Sequence, residues 1–140
     1  MKVEICVTSV DAAKIAEGAG ADRLELCSEL AVGGVTPSFG LLKAVSEKIS
    51  IPVRVLIRPR SGDFTYTDDE LHIMKKNIAL CAELGFEGIV SGALKNDFSL
   101  DAESTKQLLD ASKGLRFTFH RAFDWINDPI ATMGSLESIG

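Results

Sequence analysis

Five short stretches of the chain are rich in β-branched and aliphatic residues: Val3 to Thr8, Arg23 to Cys27, Val53 to Pro59, Gly88 to Leu94 and Arg116 to Phe123. In four of them hydrophobic and polar positions alternate, the period of a strand with two different faces. Val3, Ile5 and Val7 share one face, as do Leu24 and Leu26, then Val53, Val55 and Ile57, then Phe117 and Phe119. The other face carries Glu4, Cys6 and Thr8, then Arg23, Glu25 and Cys27, then Arg54 and Arg58, then Thr118, His120 and Ala122. Between the strands the period changes to that of a helix. Asp11 is placed to cap a helix through Ala12, Ala13, Ile15 and Ala16, which stops at Gly18-Ala19-Gly20. Thr36-Pro37 predicts a second, with proline at the first helical position. Thr67 and Glu70 form a capping box before the stripe Leu71, Met74, Ile78, Cys81 and Leu84, which Gly85 closes. Asp101 and Asp128-Pro129 open two more.

Strict β–α alternation implies parallel strands in sequential order, because each helix returns the chain to the start of the next strand. The apolar faces then pack against helices, and the polar faces point into a barrel. The expected fold class is α/β: the first five β/α units of a parallel (β/α) TIM-type barrel, in one domain over residues 1–140. That is truncated relative to the eight-fold barrel, which takes roughly 200 residues or more. The chain reaches Ser138-Ile139-Gly140 where a sixth strand would follow, so we expect either a fragment of a longer barrel or an open α/β sheet. Open edge strands attract partners, and self-association into a homo-oligomer is the corresponding expectation. The long strand-to-helix connections, Ser28 to Thr36 and Arg60 to Thr67, lie on the side where such barrels build their working sites.

Charge and composition narrow the partners. A formal net charge of −5 with no long basic run argues against nucleic acid. No apolar segment approaches the ~20 residues of a membrane span, and Glu4 interrupts the place where a signal peptide needs its apolar run. The expected location is the cytoplasm, with no membrane partner. Cys6, Cys27 and Cys81 are too few and too irregularly spaced for a disulfide framework and are expected as thiols.

Several ionisable groups would face the barrel interior, where an unpaired charge costs several kcal/mol. One reading is a space-filling ion-pair network of Arg23 and Arg54 with Glu4 and Glu25. The other is a polar pocket for a small anion near Arg58, Arg60, His120, Arg121 and Asp124. Arg58 and Arg60 flank Pro59 before the Ser61-Gly62 turn, and guanidinium forks clamp carboxylate or phosphate. Arg23, Glu25, His120 and Asp124 are the candidate catalytic groups, with Glu25, His120 or Asp124 as acid/base. Gly33-Gly34 before a helix start is either an anion cradle or a flexible turn. Cys6 and Cys27 share the inward face on neighbouring strands and are either a soft metal-ligand pair or small buried hydrophobes. Cys81 belongs to an apolar helix stripe, and His72 to a solvated helix face.

The stretches EICVTS (4–9), GADRLELCS (20–28), GGVTPSFG (33–40), IPVRVLIRPRSGDF (51–64), GAL (92–94) and TFHRAFD (118–124) occur together and in this order. In this the chain resembles the N-terminal part of the copper homeostasis CutC family along its whole length. The resemblance implies a cytoplasmic (β/α) barrel tied to copper tolerance, with Cu(I) held by Cys6 and Cys27. It also implies that Arg23, Glu25, Arg58, His120 and Asp124 line the barrel mouth. Three functions are therefore weighed: copper handling, with a copper ion as partner; an enzyme acting on a small anionic ligand; and a regulatory or scaffold barrel with neither activity.

Overall fold

Ser9, whose hydroxyl accepts from the Ala12 amide, starts the first helix in place of Asp11, which falls in the first turn. A neutral hydroxyl cap followed by an acidic residue satisfies a free N–H and complements the helix dipole. The computed structural model describes residues 1–140. Its strands are β1 (Glu4–Val7), β2 (Arg23–Leu26), β3 (Val53–Leu56), β4 (Gly88–Ser91) and β5 (Arg116–Phe119). Its helices are α1 (Val10–Gly18), α2 (Phe39–Lys48), α3 (Asp68–Glu83), α4 (Ala102–Ala111) and α5 (Pro129–Ile139). All neighbouring strands pair in parallel in the order β1-β2-β3-β4-β5, as the alternation requires.

The main core lies between the sheet and the helices. Leu24, Leu26, Val55, Ile57 and Ile89 from the outer strand faces meet Leu42, Val45, Met74, Ile78 and Leu108 from the helices. A small second cluster, Cys27, Leu56 and Val90, sits on the inward face and floors the barrel mouth. Thr67 and Glu70 close the capping box of α3.

Two further sequence expectations are corrected. Ser38, not Thr36, caps α2, which begins at Phe39. Thr36 is drawn away by β3's extension: its hydroxyl accepts from the Arg58 amide at 2.8 Å and donates to the Arg58 carbonyl at 3.1 Å. β5 ends at Phe119 rather than Phe123, and Arg121–Trp125 form a 3-10 turn capped by His120. His120 thus makes the last ladder bond, its amide donating to the Ser91 carbonyl at 3.2 Å, and Asp124 sits on the turn beyond it over the strand ends.

Candidate functional site

Arg58 follows β3 on the inward parity and is 4% exposed. Its Nη1 donates to the carbonyls of Val32 (3.0 Å) and Gly34 (2.9 Å), and its Nη2 to the carbonyl of Gly62 (2.6 Å). It also stacks over Phe64, with 4.8 Å from the guanidinium carbon to the ring centroid. One side chain therefore ties the loop after β2 to the loop after β3. Gly33 and Gly34, at φ 85° and 86°, make room for the turn: a Cβ on Gly33 would lie 3.4 Å from Arg58 Nη1, and one on Gly34 2.7 Å from Leu56 Cδ2. The Gly33 and Gly34 amides donate within their own turn, to Leu30 and Glu29. The glycine pair is thus a turn that aims carbonyls at an arginine, and the anion-cradle reading is set aside.

No carboxylate lies within ion-pairing distance of Arg58, and its Nε has no hydrogen-bond partner. His120, 8% exposed, is its neighbour in charge and in space. Its Nδ1 accepts from the Ala122 amide at 3.4 Å, which leaves the ring proton on Nε2, and Nε2 too is buried without a partner. Burial first, and the Arg58 charge second, push the His120 pKa down to about 4. The imidazole is neutral at pH 7, and its Nε2–H is a donor without an acceptor. Both residues line a 240 Å³ cavity at the strand C-terminal ends, together with Glu25, Thr118, Phe64 and Arg121. Burial, and then the nearby Glu4 charge, raise the Glu25 pKa.

The depressed histidine has a consequence for stability. Between its unfolded pKa near 6.5 and about 4, the unfolded chain binds a proton that the folded chain refuses. Stability should therefore fall as pH drops through that window, by roughly 3 kcal/mol in all. Urea unfolding at a series of pH values, compared with His120→Asn, measures it. The difference between the two proteins should grow below pH 6.5 in favour of the variant; a constant difference would remove the depressed histidine as its cause.

The other expected site residues are placed elsewhere. Arg60 is engaged by Glu70 and, at 3.0 Å, by Asp63, and does not line the cavity; Arg121 supplies the second guanidinium there. Asp124 is exposed, 3.8 Å from Arg121 Nε. Arg23 pairs with Glu4 at the start of the strands. Arg54 turns to Glu87 at 2.8 Å and to Thr118 instead of joining Glu25, so the expected four-member network is split. Glu87 precedes β4 and had no strand-face pattern to reveal it. Cys6 stands opposite Glu25 in the β1–β2 register and is exposed, whereas Cys27 is buried two residues further on. Partial burial and the charges of Glu25, Cys27 and Glu4 push Cys6 up to about 11, and burial with Glu25 raises Cys27. Cys81 is buried in the main core.

The CutC family model matches residues 1–140. The chain belongs to the CutC family. It is 45% identical over 140 residues to a CutC family protein of Pasteurella multocida, covering all of this chain and 57% of that one. It is 48% identical over 138 residues to the human copper homeostasis protein cutC homolog, covering 99% of this chain and 50% of that one. The crystal structure of a CutC protein from Streptococcus agalactiae superposes with a TM-score of 0.91 at 39% identity, covering all of this chain and 70% of that one. The chain thus spans about half the length of the curated relatives it matches, and its five parallel β/α units are part of the barrel of this family.

Copper enters through the relatives' names, and the donors present bear on it. Cys6 and Cys27 offer two soft sulfurs on one face, near enough for Cys27 to affect the Cys6 titration. No group of three or more His, Cys, Asp and Glu side chains is gathered as a metal would need. Any soft ion held by these two sulfurs would first have to displace both thiol protons. No helix is long and apolar enough to cross a membrane.

Proposed function

We propose that this chain supplies the ligand-holding wall of a (β/α)-barrel enzyme acting on a small anionic metabolite. The observation that carries the reading is Arg58: a buried guanidinium with no counter-ion that lines one cavity with His120, each side chain keeping one buried nitrogen, Nε and Nε2, without a partner. A buried charge is costly unless paired, and two N–H donors with no protein acceptor await an oxygen from outside. Phosphate or carboxylate oxygens match both groups in charge and geometry. Glu25, with its raised pKa, is the acid/base group, because a carboxyl titrating closer to neutrality can both give and take a proton. His120 acts as a neutral donor to ligand oxygen. Arg23, Arg60 and Asp124 lie outside this arrangement.

The test is calorimetric titration of phosphate and acetate. One-to-one binding in the millimolar range or tighter, weakened by His120→Asn, is expected. No binding of any small anion at millimolar concentration would overturn the reading.

The second reading, copper handling through Cys6 and Cys27, rests on their shared inward face and mutual influence. On that reading, joint Cys6→Ser and Cys27→Ser replacement abolishes stoichiometric Cu(I) uptake under reducing conditions. Unchanged uptake excludes this pair as the copper ligands.

A further inference from the structure

On the rim beside the Arg58 cavity, Phe98 and Trp125 stack with ring centroids 6.0 Å apart and planes inclined by 22°. They come from different loops, after β4 and after β5, and both remain open: Phe98 is 44% and Trp125 57% exposed. Phe98 has φ 62°, in the left-handed region that a bulky residue adopts only at a cost. The turn that holds it there is well tied. The Asp97 carboxylate accepts from the Ser99 amide (3.0 Å) and hydroxyl (2.6 Å), Lys95 and Phe98 amides bond within the turn, and Asn127 Nδ2 donates to the Asp97 carbonyl at 2.8 Å. That last bond links the Phe98 turn to the segment carrying Trp125. The fold thus spends hydrogen bonds and backbone strain on presenting two aromatic rings to solvent, a poor use of either if the rings served only the core.

The rings form one side of a 420 Å³ cavity whose other walls include Phe64, Leu94 and Lys95. Phe64 and Trp125 also line an adjoining 430 Å³ cavity that contains Arg58 and Arg121. The apolar shelf and the cationic pocket are therefore neighbouring parts of one mouth.

We infer that Phe98 and Trp125 form a subsite for a planar, conjugated ring, and that the ligand is an aromatic or heteroaromatic compound carrying a phosphate or carboxylate. The ring lies against the Trp125–Phe98 shelf and the anionic group reaches the Arg58 and His120 donors. This rests on the anion-pocket reading above and adds the class of group that the anion carries. A stacked ring has the dispersion and quadrupole contacts that exposed aromatics lack, and the sequence-tolerant stacking of bases on aromatic side chains uses the same physics.

Trp125 is the single tryptophan of the chain, so its fluorescence reports the shelf directly. The probes are phenyl phosphate, methyl phosphate and phenol, titrated by fluorescence and by calorimetry. Phenyl phosphate should bind about tenfold or more tighter than methyl phosphate and quench Trp125 saturably. Phe98→Ala and Trp125→Ala should bring the two phosphates to within about twofold of each other while leaving methyl phosphate where it was, and Trp125→Phe should retain most of the preference. If phenyl and methyl phosphate bind alike, or neither ring compound quenches Trp125, the shelf is not a ring subsite. If phenol still quenches saturably but neither phosphate binds more tightly than phenol, the shelf stands alone and the anion pocket falls.

Discussion

Arg58→Gln will weaken phosphate binding about tenfold or more, because it removes the guanidinium charge from the cavity wall together with its unpartnered Nε donor. The substitution also breaks the guanidinium's bonds to the Val32, Gly34 and Gly62 carbonyls, so a stability loss of about 1–3 kcal/mol is expected alongside. Part of that loss is offset, since the variant no longer buries a charge. Arg60→Gln is the control. Its partners are Glu70 and Asp63 and it does not line the cavity, so phosphate affinity should stay within about twofold of the parent. Calorimetry on both variants, with circular dichroism to confirm that each is folded, measures the contrast. Parent-like affinity in Arg58→Gln would make Arg58 a loop staple and nothing more.

Gly88→Ala will destabilise the chain by about 3 kcal/mol or more. Gly88 opens β4 on the inward parity, paired in register with Arg54 on one side and Arg116 on the other. A Cβ there would lie 2.5 Å from the Arg116 carbonyl oxygen and 2.9 Å from the Arg116 Cβ. These belong to the neighbouring strand's backbone and its first side-chain carbon, which cannot swing aside as a long side chain could. The strands must separate locally or the ladder must lose a bond. Gly114→Ala is the comparison, with φ 89° but nothing within 4 Å of the added carbon, so it reports backbone strain alone. Urea denaturation midpoints decide the matter; a Gly88→Ala loss no larger than that of Gly114→Ala would show that β4 and β5 can part cheaply.

The sequence by itself determined the architecture. Its two periods, two for strands and three to four for helices, depend only on where side chains leave the backbone, so each strand's outer face and each helix stripe could be read locally. Parallel order followed from the alternation, and the capping box at Thr67 and Glu70 and the starts at Asp101 and Asp128 are short-range chemistry. The inward set around Glu25, Arg58 and His120 was legible for the same reason.

Which of those groups meet was decided only by the tertiary structure. Long charged side chains choose partners by distance across strands and loops, which no spacing encodes: Arg54 found Glu87, Arg60 found Glu70, and Arg58 found three carbonyls and no carboxylate. Thr36 looked like a cap because a hydroxyl before proline can be one, yet it lies beside the Arg58 backbone and bonds there. The His120 proton is assigned by the Ala122 amide after a turn that begins where the strand pattern seemed to run on. The stacking of Phe98 on Trp125 joins residues 27 positions apart on two loops with no periodicity. Loop contacts of this kind arise from how the strands set the loop ends side by side, and that juxtaposition exists only once the sheet has formed.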